Sequence, residues 1–138
     1  MRKLALHLAI ATLLLGCAKD QFTPLGEIPK LTKLEDVMDN QKAAADPLFA
    51  KVGQASFADA DFAAMTAASE RILVTSVKVK EFSKEYPKGT AEFEAFAGKL
   101  NEKAKALGTA AAAKDTAAAK AALTEMKATC KDCHSKFK

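Results

Sequence analysis

At 138 residues, 49% hydrophobic and 28% charged, the chain is one domain's worth of ordinary globular composition. It has no tryptophan, eight phenylalanines and one tyrosine, so it offers few large side chains for a core, and a buried prosthetic group would supply the missing apolar bulk. The formal charge is +4, and loss of Arg2 and Lys3 with a leader leaves 19 basic against 17 acidic groups, or +2, too weak a balance to argue for nucleic acid.

Residues 1–16 read as a signal peptide: Arg2 and Lys3 precede an apolar run from Leu4 to Leu15 that is too short for a membrane span. The following quartet, Leu14, Leu15, Gly16 and Cys17, resembles a bacterial lipobox. That resemblance implies that Cys17 is diacylated on sulfur and becomes the mature N-terminus. An uncleaved anchor is the alternative, and both place the domain outside the cytoplasm, on the periplasmic side of a bacterial membrane. Ala18, where sorting in enterobacteria would read Asp, leans toward the outer membrane. Residues 17–31, with Pro24, Gly26 and Pro29 and no periodicity, are expected to be a flexible tether reaching about 40 Å when extended.

From 32 to 138 the pattern is helical. Thr32 with Glu35 forms a capping-box signature, and Leu34, Met38, Gln41, Ala45, Leu48 and Val52 recur at alternating four and three. Pro47 predicts a kink or break in that run, and Gly53 a stop. Asp59 is a candidate cap for a second helix, along which Phe62, Met65, Ser69, Ile72, Ser76 and Val79 form a seam. Residues 77–82 also alternate as a strand would, but there is no second extended segment to pair with, so the expectation is helix. Tyr86 to Gly89 reads as a turn. Thr90 caps a third helix with Phe93, Phe96, Leu100, Ala104 and Leu107 inward, weakened at Gly108. Asp115 or Thr116 begins a fourth, where Ala119, Leu123, Met126, Cys130, Cys133 and Phe137 share a seam. Four helices with short connections predict an all-α, antiparallel up-down-up-down bundle.

The chemistry is concentrated at the end, in Cys130, Lys131, Asp132, Cys133 and His134. C-x-x-C-H is a haem-attachment spacing: two thiols add across vinyl groups and the adjacent imidazole ligates the iron. On a helix, residues three and four apart share a face, so Cys130, Cys133 and His134 point one way. A thioredoxin-like pair would open a helix in a βαβ pattern, which is missing. A structural zinc site needs four ligands, and with Cys17 assigned to the lipid the Cys and His after the leader number three. A disulfide across two helical residues would be strained. With His7 in the leader, His134 is the single histidine remaining; it is committed to iron, no acid-base group is left beside it, and the expectation is that the protein is not an enzyme.

These features resemble the class II c-type cytochromes, the cytochrome c′ group, over residues 31–138. The resemblance implies one covalent haem c held by Cys130 and Cys133, with His134 as proximal iron ligand and the first helix covering the opposite face. Members commonly have tyrosine and arginine three and four residues after the histidine; here these are Phe137 and Lys138. Some members place an apolar residue over a five-coordinate iron that binds nitric oxide or carbon monoxide, and others a methionine over a six-coordinate electron carrier. Met38 is the expected distal ligand, Val37 the apolar alternative, and Met65 and Met126 are weaker candidates. The first expectation is therefore an extracytoplasmic single-electron carrier, lipid-anchored to the membrane. Lys127, Lys131, Lys136 and Lys138 could favour an acidic redox partner, or form an ordinary solvated face. A gas-binding protein is the second reading, a helical lipoprotein without haem the third, and a homodimer is the oligomeric state common among members.

Overall fold

The structure, a computed structural model, describes residues 22–138; the leader and Cys17 lie outside the described residues. Four helices follow one another: α1 (Leu34–Phe49), α2 (Asp59–Lys80), α3 (Thr90–Ala112) and α4 (Thr116–Phe137). They form an antiparallel four-helix bundle in which α2 packs on α3, α3 on α4 and α1 on α2, while the contact between α1 and α4 is sparser than any of these. The described residues contain no strand, so the alternation at 77–82 belongs to the end of α2. No described helix is long and apolar enough to cross a membrane.

The seams close as their spacing demands. Every seam position of α2, from Phe62 to Val79, is buried, as are Leu100, Ala104 and Leu107 of α3 and Ala119, Leu123 and Met126 of α4. Small residues set the distance between α2 and α3. A Cβ at Gly108 would lie 2.6 Å from Ser69 Oγ, and that hydroxyl donates to the Ala104 carbonyl at 2.7 Å. Gly108 therefore marks a point of close contact between the two helices.

Helix ends differ from the expected caps in several places. The chain is extended through Lys33, which is the N-cap of α1 and has no side-chain cap, so Thr32 falls outside and the capping box does not form. Pro47 does not break α1: it stands two residues before the helix end, where the loss of a single backbone bond is tolerated. Asp59 is the first residue of α2 rather than its cap. The N–H of Ala58 instead donates to Asp61 Oδ2 at 2.9 Å, and Lys51 pairs with the same carboxylate. Gly89, not Thr90, caps α3. Asp115 caps α4, accepting from the Ala118 N–H at 2.9 Å. Between α3 and α4, Lys114 sits at φ 52°, with the Asp115 N–H on Ala110 and the Lys114 N–H on Ala111, the paired bonds of a Schellman stop.

The flexible tether expected through Leu31 is corrected over the described part. Leu25–Lys30 is a 3-10 turn lying against α2, and Ile28 is fully buried. The gain from burying an isoleucine, about 1.5–3 kcal/mol, opposes the freedom the tether reading assumed.

Candidate haem site

The apolar core is in two parts. One comprises Leu48, Phe62, Met65, Ile72, Leu107 and Leu123 with their alanine neighbours. The other is Val37, Val79, Phe82, Phe93 and Ala97. A cavity of about 650 Å³ is lined from both, with Ile72, Leu100 and Met126 on one side and Val79, Phe93 and Ala97 on the other. Its volume is in the range of sites for cofactors and other small molecules. The gap lies where α1 and α4, the most loosely packed neighbouring helices, leave space between them.

The α4 wall brings Cys130, Cys133 and His134 into this cavity together, below Met126 and beside Phe137. Both thiols are free and half-buried, and His134 stands at the exposed rim. Burial, reinforced by Cys133 and Asp46, pushes the Cys130 thiol up to about 11. Burial and Glu92 raise that of Cys133. Both are neutral S–H groups at physiological pH. Phe137 fixes the end of α4 by packing against Tyr86, Phe93 and Phe96, with ring centroids 5.2, 5.3 and 6.3 Å away. The absence of a side chain at Gly89 allows this, since a Cβ there would meet the Phe137 ring at 2.7 Å.

From α1 come Leu34, Met38, Gln41, Ala45 and Phe49. Met38 lines the cavity; Val37 does not, being fully buried among Val79, Phe82 and Phe93. A rotation of about 100° per residue separates the two neighbours. Met65 is packed in the first core cluster, and Met126, though on the lining, shares a helix with His134. Among the described residues, no three His, Cys, Asp or Glu side chains are gathered as a metal-ion site would need.

The cavity fits a haem on three counts. Its walls are mostly apolar, its one cluster of nucleophilic sulfur lies beside the only described imidazole, and its charged groups stand at the rim, among them Asp39, Lys42, Asp46 and Lys138. One polar atom in the wall is unusual: Gln41 Nε2 is buried and has no hydrogen-bond partner. Such a donor is costly unless something absent from the bare chain meets it. Sequence spacing placed Gln41 on the inward seam, but a seam position gives no indication of an unpaired amide.

A second polar group went unread in the sequence. Arg71 Nη1 donates to the Thr23 carbonyl at 2.6 Å and to Asn40 Oδ1 at 2.9 Å, with its guanidinium 4.4 Å from the centre of the Phe22 ring. Buried Asn40 also accepts from the Thr23 N–H and donates to its hydroxyl, both at 3.1 Å. The available signal was composition: apart from Arg2, Arg71 is the chain's one arginine among nineteen lysines. A planar guanidinium can bond two acceptors and stack on a ring, as an ammonium cannot.

The family model described as Cytochrome C' matches residues 30–138 of this chain. No curated protein and no solved structure matches it.

Proposed function

Because the chain belongs to the cytochrome c′ family and is a c-type cytochrome with covalent haem c, we propose that it is an extracytoplasmic single-electron carrier, with Cys130 and Cys133 as the thioether attachments and His134 and Met38 as the iron ligands. When bound, the haem supplies an iron that takes up and releases one electron. The residues of this chain determine how readily that happens. Cys130 and Cys133 would hold the group to α4 through thioether bonds, and His134, the next residue, would offer its imidazole nitrogen from the same helix. Phe93, Leu100 and Ile72 exclude water from the interior. A thioether from Met38 as iron ligand would favour the reduced iron and raise the potential.

The observation that carries this reading is that Met38, and not Val37, lines the cavity. Lys127, Lys131 and Lys138 are exposed and make no ion pair among the described residues, whereas Lys136 pairs with Glu92. These three lysines suit an acidic redox partner approaching the His134 rim. Diacylation of Cys17 would hold the domain at the periplasmic side of a bacterial membrane. Met38→Ala tests the ligand assignment: it should convert a low-spin ferric spectrum to high-spin and lower the midpoint potential. An unchanged low-spin spectrum would remove Met38 from the iron.

A second reading, a five-coordinate protein binding nitric oxide or carbon monoxide, draws on the small side chains of Ala45 and Ala97 in the lining, which leave room for a diatomic ligand.

A further inference from the structure

Three large hydrophobic residues are exposed in the described chain: Phe22, Leu25 and Val77. Phe22 and Leu25 belong to the N-terminal strap, and Val77 is 60% exposed on α2. The strap reaches Val77, because Pro29, Leu73, Val74 and Val77 line one open groove on the outer side of α2 and α3. Scattered exposed apolar residues need no explanation. Here, however, all three lie on or beside one ten-residue strap, and the Arg71–Asn40 clasp holds that strap in place.

Chain length adds an independent constraint. Thr23 is pinned by Asn40 and Arg71, and Cys17 stands only five residues before Phe22. Five residues span at most about 18 Å. An acylated Cys17 therefore leaves the strap no distance from the lipid comparable to the bundle's own dimensions.

We propose that the strap face, made of Phe22, Leu25, Pro29 and Val77, rests on the lipid surface of the membrane that anchors Cys17. This deepens, and rests on, the lipid-anchor reading above. The contact is apolar. The charges at its edge are few, since Lys30 pairs with Glu27 and Lys78 with Glu81, which leaves Lys105 on the groove and the Arg71 guanidinium behind the Phe22 ring in excess. Anionic headgroups accordingly add little, and raised salt should not release the face.

The orientation has a functional consequence. Ile72 and Val79 of α2 face the haem cavity, whereas Leu73 and Val77 lie about 100° and 140° further round the helix. On α3, Leu100 lines the cavity and Asn101 the groove. With the groove on the lipid, the rim bearing His134 and the free lysines points toward the aqueous side, where a soluble partner can reach it.

The test uses the full lipidated, haem-loaded protein in vesicles of phosphatidylethanolamine and phosphatidylglycerol. A nitroxide is attached at Leu25→Cys, at Val77→Cys, and at Lys127→Cys as an exposed control on α4. On vesicle binding, positions 25 and 77 should become several-fold more accessible to oxygen and several-fold less accessible to a water-soluble nickel chelate, in low and high salt alike, with position 127 unchanged. Labels at 25 and 77 that stay as open to the chelate as 127, on protein that floats with the vesicles, would overturn the proposal. Protein that does not float, with an intact mass lacking the diacylglyceryl group, would instead show that the lipid-anchor reading fails, and the docked face with it.

Discussion

Gln41 of α1 and Cys130 of α4 line the same cavity, and the Gln41 Nε2 is buried there without a hydrogen-bond partner. An unsatisfied buried donor costs about 1–3 kcal/mol. Gln41→Leu should therefore stabilise the haem-free chain by about that amount, and should stabilise the haem-loaded protein less, because the bound group would offer the amide an acceptor. Urea midpoints of both forms measure the difference. An equal gain in the two forms would mean that the amide meets nothing on the haem.

The raised thiols predict how the haem-free chain responds to alkali. With Cys130 held protonated to about 11 by burial and an unfolded thiol titrating near 8.5, the folded chain binds the extra proton between those values. Stability is then full below pH about 8.5 and falls as pH rises toward 11, by about 3 kcal/mol. Cys130→Ala should flatten that slope. Alkylation at pH 8 should be slow at Cys130 in the folded chain and fast once urea unfolds it; equal rates would contradict the burial argument.

Two glycines on α3 should answer the same substitution oppositely. Helix propensity alone favours alanine over glycine by about 1 kcal/mol. At Gly98 a Cβ would find only Lys80 Nζ at 3.8 Å, so Gly98→Ala should stabilise by up to that amount. At Gly108 it would strike Ser69 Oγ at 2.6 Å and disturb the bond to Ala104, so Gly108→Ala should destabilise by about 1–3 kcal/mol. Thermal unfolding of the two variants decides, and stabilisation at both positions would mean that α2 and α3 are not in close contact there.

Much of this was legible in the sequence because periodicity reports burial. Phe62 to Val79 and Ala119 to Met126 are buried where the three-four spacing put them, and C-x-x-C-H is a local motif that a helix displays on one face. Local signals were weaker at the ends. Thr32 and Asp59 are good capping residues in isolation, but tertiary packing starts their helices elsewhere. Phe22 to Leu31 read as a tether because Pro24, Gly26 and Pro29 punctuate it and it shows no periodicity. Its order comes from Ile28 in the core and from Arg71, more than forty residues downstream, a contact that local pattern does not encode. The gap between the two apolar clusters was foreseen only as a shortage of large side chains.

The absorption spectrum of the purified, haem-loaded protein, recorded reduced with and without carbon monoxide and again oxidised, tests the central claim most directly. Ligation by His134 and Met38 predicts a low-spin spectrum, a sulfur-to-iron band in the oxidised form, and no response to the gas. A high-spin spectrum that shifts on adding carbon monoxide would contradict it, leaving Met38 as packing and making gas binding the function.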